Sequence, residues 1–240
     1  MTTSPKIVLV TYRFQHHQTV SGYNRLGDFI PCSRIVIPQG IDTLLRRMAN
    51  EKRRTKLLNT TGLTGYFFEC IWLEWLTGML AKIPRRAIFH FIYPENSYYF
   101  THRYRRSKRA KIIATYHQPV EESKQFILKT DAIQKLDAII LLSETQREFF
   151  EPLLDRERIF VVPHGIDLSY FQPSPIETRE RRIIVVGSWL RDFYTLSEAL
   201  RIAGDIKPDV SFDIVSHESN RRFFTSHHNV TYHHGITDDR

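Results

Sequence analysis

At 240 residues and 42% hydrophobic content, the chain can bury the core of one large domain or two smaller ones, which excludes disorder as its main state. Its formal charge of +8 is unevenly spread: residues 1–120 carry 19 Lys and Arg against 6 Asp and Glu (+13), whereas residues 121–240 carry 15 against 20 (−5). The two cysteines, Cys32 and Cys70, sit in apolar surroundings without C-x-x-C spacing, so they read as reduced packing residues in a reducing compartment and imply no disulfide or zinc framework.

The first twelve residues hold one lysine and a short apolar run, far short of a secretory signal, so the chain is expected in the cytoplasm. Short β-rich runs then recur at 6–12, 33–37, 87–93, 111–116, 137–142 and 159–162. Several are nearly continuous Val, Ile, Leu and Phe, as parallel strands covered on both faces require. Segments 40–50, 66–81, 120–129 and 144–154 have helical apolar spacing. The alternation predicts a doubly wound parallel sheet. The apolar stretch 66–83 is broken by Glu69, Glu74 and Lys82, so no membrane-spanning helix is expected.

A linker is predicted over 171–182, where Pro173 and Pro175 precede a charged run. A second α/β pattern follows, with strands at 182–186, 211–215 and 229–232 and helices at 194–206 and 221–226. The domains are therefore 1–170, a complete Rossmann-like sheet, and 183–240, whose roughly 60 residues fall short of the roughly 100–150 usual for a domain and predict an incomplete one.

Two basic clusters mark the first half: Arg46, Arg47, Lys52, Arg53, Arg54 and Lys56, then Arg103, Arg105, Arg106, Lys108, Arg109 and Lys111. They predict an anion-facing surface for phospholipid, a phosphorylated acceptor or nucleic acid. No helix-turn-helix, zinc-finger or RNP pattern accompanies them, so no nucleic-acid partner is expected.

Ligands of doubly wound sheets sit beyond the carboxyl ends of the strands, so the residues there are the candidates. After the first strand, Ser21-Gly22-Tyr23-Asn24 places a glycine where backbone N–H groups approach a phosphate or hydroxyl, or where a turn merely needs one. After the third, Glu95 is an available acceptor, but helix capping by Asn96 is the simpler reading of that loop. After the fourth, His117 either meets a sugar hydroxyl or phosphate, or caps the next helix or faces solvent. In the second half, Gly187 with Arg191 suits a diphosphate, although Arg191 also suits pairing with a surface acid; the loop is no G-x-G-x-x-G, which removes support for a nicotinamide or flavin cofactor. His217, His227, His228, His233 and His234 match no metal-ligand spacing, so no metal site is expected.

The segments Asp137-Ala138-Ile139-Ile140-Leu141-Leu142-Ser143 and Val161-Val162-Pro163-His164-Gly165-Ile166-Asp167, followed by Phe171 and Pro173, resemble the junction between the two domains of retaining glycosyltransferases of family 4. The resemblance runs from Lys6 through Gly235. It implies the GT-B fold of two facing Rossmann-like domains, Gly22 in the glycine loop, His117 near the donor sugar, and Gly187 with Arg191 at the nucleotide diphosphate. Ser21 stands where the family usually has a first glycine, and Ser188 follows Gly187 where the family usually has arginine. The family's E-x7-E segment would lie beyond Gly235 and is absent, so a truncated second domain is expected.

The resemblance thus implies a metal-free and cofactor-free transfer of a sugar from a UDP- or GDP-linked donor, with retention, to a glycan or lipid-linked acceptor in cell-envelope polysaccharide or glycan synthesis. His117 would be the catalytic-site residue, Gly187 and Arg191 the diphosphate site, and Ser21 and Gly22 the acceptor or phosphate loop. The basic first half would meet the acceptor or the inner face of a membrane. A truncated, non-catalytic paralogue acting as a binding or partner subunit is the alternative.

Overall fold

A computed structural model describes residues 4–12, 14, 22–37, 39–84, 86–105, 108–173 and 181–236. The chain divides into two compact units, Met1–Ile166 and Asp167–Arg240. Ser21 and most of the predicted linker lie outside the described residues.

The first unit holds strands β1 (Lys6–Val10), β2 (Cys32–Ile35), β3 (Ala87–Phe91), β4 (Ala110–Tyr116), β5 (Ala138–Leu141) and β6 (Ile159–Val161). They pair in parallel throughout, in the order β2-β1-β3-β4-β5-β6. All six strands read from the sequence are present. Consecutive residues of the inner strands are buried, as in Val8, Leu9 and Val10 or Phe89, His90 and Phe91, because helices cover both faces. After β2 the chain crosses back over β1 to form β3, so the reversal of strand order lies between β1 and β3. Val10 is level with both Ile35 and Phe91 in register, and the strand ends there form one rim.

The helices of this unit are α1 (Leu26–Phe29), α2 (Gln39–Met48), α3 (Glu51–Thr61), α4 (Cys70–Ala81), α5 (Pro94–Ser97), α6 (Thr101–Tyr104), α7 (Val120–Phe126) and α8 (Arg147–Phe150). All four helices read from apolar spacing are shorter than predicted, α2 ending at Met48 and α4 starting only at Cys70. α7 ends at Phe126 because Ile127 turns extended and bridges Leu63. α8 stops at Phe150: Glu151 is still helical in backbone, but Pro152 after it has no N–H to continue the hydrogen-bond ladder. The basic run 51–61 is an additional helix. Asn50 accepts the Arg53 N–H at its start, and Gly62 in the left-handed region ends it.

Helix α4 carries its charges inward. Glu69 and Glu74, which interrupt the apolar stretch, are both buried. Gly78 on this helix lies so close to Tyr104 that an added Cβ would meet the tyrosine Cβ and Cδ2 at 2.6 Å. Gly78→Ala is therefore expected to cost about 2 kcal/mol through overpacking, despite alanine's better helix propensity. Thermal melts check this, and an unchanged or raised midpoint contradicts it.

In the second unit β7 (Arg182–Val186), β8 (Ser211–Val215) and β9 (Val230–His233) form a parallel sheet in the order β7-β8-β9, with α9 (Phe193–Ile206) alongside. Phe193, Leu200, Phe212, Ile214 and Phe224 make its core. β7 is an edge strand, with Ile183, Ile184 and Val186 exposed. No helix among the described residues is long and apolar enough to cross a membrane.

Candidate functional site

The carboxyl ends of β1, β3, β4 and β6 bring Tyr23, Tyr93, Glu95, His117 and His164 together on one rim of the first unit. Gly22 makes this convergence possible: its φ of 89° and ψ of 155° belong to a backbone region open essentially to glycine alone. Tyr23 follows directly, and its N–H donates to the Tyr93 hydroxyl at 3.2 Å. Its ring lies parallel to His117, with centroids 3.7 Å apart and planes 7° apart, and parallel to His164 at 4.5 Å and 4°. The two imidazoles are themselves 5.9 Å apart.

His117 is held by its own ring. Nε2 lies 2.6 Å from the Ile92 carbonyl oxygen, which only accepts, so Nε2 carries the proton and Nδ1 presents a lone pair. That Nδ1 is buried and has no hydrogen-bond partner among the described residues. Burial lowers the pKa to about 4, so the ring is neutral near pH 7. Capping of the next helix is not its role, since α7 starts from Pro119 without a side-chain cap.

Two buried side chains fix the His117 backbone. Glu95, wholly buried, accepts the His117 N–H at 3.2 Å, and burial raises its pKa to about 7. Gln146 donates to the carbonyls of Tyr116 at 3.1 Å and Gln118 at 2.8 Å, and accepts from the N–H groups of Leu142 and Ser143 at 2.6 and 3.0 Å. All four hydrogen-bonding positions of its amide are used, which ties the ends of β4 and β5 together.

The loop after β3 differs from its sequence reading. Asn96 does not cap α5: it lies inside the helix, which opens on Pro94 without a side-chain cap, and its amide donates to the Gly65 carbonyl at 2.7 Å. Glu95 is the residue that faces the rim. The sequence signal for it was present, a carboxylate directly after a strand, but proximity in sequence favoured Asn96. His164 sits within the Val161–Asp167 signature, and Tyr23 beside Gly22; neither residue type alone marks a site, and only the parallel sheet brings them to His117.

The titrations of this rim oppose one another. His90, hydrogen-bonded to Thr115 at 2.7 Å, and His117 both have pKa values lowered to about 4 by burial, so the stability they provide is complete above about 6.5 and lost as pH falls toward 4. Glu95, raised to about 7, does the reverse: its contribution is complete below about 4.5 and lost as pH rises through 7. Glu95→Gln keeps an acceptor for the His117 N–H and removes this titration. The stability of the variant relative to the parent is expected to rise by about 3 kcal/mol between pH 4.5 and pH 7. Denaturant titrations at both pH values read it, and a constant difference contradicts it.

In the second unit, Gly187 takes φ 113° at the carboxyl end of β7, and its N–H bonds the Val215 carbonyl at 2.9 Å. Ser188 is tied to the end of β8, accepting the His217 N–H at 2.9 Å and meeting the Ser216 hydroxyl at 2.9 Å. Arg191 is exposed and reaches back over Gly187 to the Val186 carbonyl at 3.4 Å; among the described residues it forms no ion pair. Asp192 caps α9 by accepting the Thr195 N–H, so a carboxylate already occupies part of this helix start. Four of this unit's five histidines are engaged separately: His217 with Ser219, His227 with Ser197, His233 with Asp213 and His234 with Glu218. No group of three metal-ligating side chains exists among the described residues.

The model of the family described as Glycosyltransferase Family 4 matches residues 49–170. No curated protein matches the chain. Among solved structures, the crystal structure of TarM is similar with a TM-score of 0.50 at 16% identity, covering 71% of this chain and 36% of that one. The Anabaena HepE structure in complex with UDP and glucose covers 98% and 70% at 11% identity and a TM-score of 0.49, and the GtfA/B complex covers 71% and 38% at 16% identity and 0.45. The chain thus spans little more than a third of TarM. The two parallel α/β sheets, with the family match and the likeness to TarM, give the GT-B fold class.

Proposed function

The chain belongs to glycosyltransferase family 4, and from that premise we infer that it serves transfer of a sugar from a UDP- or GDP-linked donor to a glycan or lipid-linked acceptor, with retention at the anomeric carbon. The observation that carries this reading is His117: a neutral imidazole at the carboxyl end of β4, its Nε2–H committed to Ile92 and its buried Nδ1 free to accept. A sugar hydroxyl is a donor matched to that lone pair. A phosphate, which only accepts, is not, so His117 is assigned to the sugar and not to the diphosphate.

The diphosphate role falls to the second unit. Gly187 permits close backbone approach, and Arg191 has spent one of its five N–H donors on Val186, which leaves the guanidinium able to neutralise the departing phosphate. Asp192 at the same turn opposes an anion, so Arg191 must dominate there. Charge development on the leaving group is met by fixed donors in this reading, and no metal or cofactor is needed. Gly22, by its backbone alone, belongs to the same rim as His117, and with Ser21 it is assigned to the acceptor or phosphate loop.

The test is a panel of UDP- and GDP-sugars incubated with the chain, with released nucleotide and the anomeric configuration of the product read together. Transfer or hydrolysis of at least one donor with retention supports the reading. Inversion, or no turnover and no nucleotide binding across the panel, refutes it.

A further inference from the structure

Of the residues that surround His117, Ile92, Tyr93 and Glu95 are buried in the first unit, whereas Tyr23 and His164 are exposed. Tyr23 is the nearer of those two, its ring centroid 3.7 Å from that of the imidazole against 5.9 Å for His164. With 37% of its surface exposed, it forms the outer wall over a ring whose Nδ1 is shut off from solvent. A buried lone pair without a partner among the described residues is a cost that calls for a functional reason.

Tyr23 is held differently at its two ends. Its backbone is fixed: the N–H donates to the Tyr93 hydroxyl at 3.2 Å, Gly22 before it takes φ 89°, and the Asn24 amide after it donates to the Tyr12 carbonyl at 3.2 Å. Its ring rests by stacking on His117 and, at 4.5 Å, on His164. Rotation about the Cα–Cβ bond lifts the ring from both imidazoles and leaves those three backbone positions where they are. An exposed side chain makes such a turn within nanoseconds.

We propose that Tyr23 is a gate over His117: in the position seen its ring shields the Nδ1 lone pair from water, and it swings outward to admit the sugar hydroxyl of the donor to that nitrogen. The inference rests on the sugar reading of His117 and adds what controls access to it. A donor that binds only the open form binds more weakly in proportion to the fraction of molecules that are open, so removing the ring strengthens binding. A gate open about a tenth of the time lowers donor affinity about tenfold.

Two measurements on the full chain separate the gate from the chemistry behind it. Diethyl pyrocarbonate acylates unprotonated imidazole; its reaction with His117 near pH 7 is followed by mass spectrometry, with the exposed His217 of the second unit as internal reference. Affinities for UDP- and GDP-sugars are measured by calorimetry. In Tyr23→Ala, His117 is expected to react about tenfold faster than in the parent, and a donor that binds is expected to bind about tenfold more tightly. Tyr23→Phe, which keeps the ring, matches the parent in both. Thermal melts check folding, and Tyr23→Leu is read in place of alanine if that variant is unfolded. Equal His117 reactivity in parent and Tyr23→Ala, an equal acceleration in Tyr23→Phe, or donors bound no more tightly by Tyr23→Ala overturns the gate. Faster modification of His117 with no nucleotide sugar bound by either protein upholds the gate and refutes sugar transfer. Donors bound with His117 reactivity unchanged refutes the gate and leaves sugar transfer standing.

Discussion

Replacing Glu74 by alanine is expected to destabilise the first unit by about 4–5 kcal/mol and to lower its melting midpoint by about 10–15 °C. Its Oε1 accepts from the Tyr66 hydroxyl at 2.5 Å and the Tyr99 N–H at 2.7 Å, and its Oε2 from the N–H groups of Phe100 and Thr101 at 2.6 Å each and the Thr101 hydroxyl at 2.8 Å. One buried carboxylate therefore organises the segment between α5 and α6 and the start of α6. Burial raises its pKa to about 7, and these five bonds are what keep the charged form tolerable. Alanine leaves three backbone N–H groups and two hydroxyls without an acceptor in a dry site. Glu74→Gln keeps the volume but turns an NH2 toward backbone donors, so it recovers only part of the loss. A midpoint for Glu74→Ala within about 3 °C of the parent contradicts this account.

The second large effect is on turnover. His117→Ala is expected to lower kcat for the nucleotide-sugar donor about a hundredfold while costing only about 1 kcal/mol of stability, the value of its bond to Ile92. Asparagine places a side-chain oxygen near the position of Nδ1, so His117→Asn should keep more activity than alanine. That rescue separates acceptance of a sugar hydroxyl from simple support of the rim. Equal kcat in His117→Ala and the parent contradicts the assignment, as does equal loss in alanine and asparagine with an unchanged donor KM.

The strands were legible because they are buried on both faces, and continuous runs such as Ile7 to Val10 admit few other structures. The order of segments around Val161 to Asp167 supplied the family. Helix α3 was not legible from apolar spacing because its residues are mostly polar and only Leu57 and Thr61 are buried; its marks are the caps, Asn50 and Gly62. His117 was readable as a residue just after a strand. Its tautomer, its empty Nδ1 and its stacking on Tyr23 depend on Ile92, Glu95 and Gln146, which lie far from it in sequence and reach it only through the parallel register. The exposure of Ile41, Leu44 and Met48 on α2 was hidden for a similar reason: amphipathic spacing gives the period of a helix, and only the pairing of Arg46 with Glu69 reveals which side is inside.

Nitrogen-resolved NMR of the His117 ring, recorded through a pH titration with and without UDP- and GDP-sugars, tests the central assignment most directly. The account predicts a neutral Nε2–H ring persisting down to about pH 4, and a shift of the Nδ1 resonance when a nucleotide sugar binds and a hydroxyl donates to it. A ring protonated on Nδ1, or one titrating near 6.5 and unmoved by every nucleotide sugar, would contradict it.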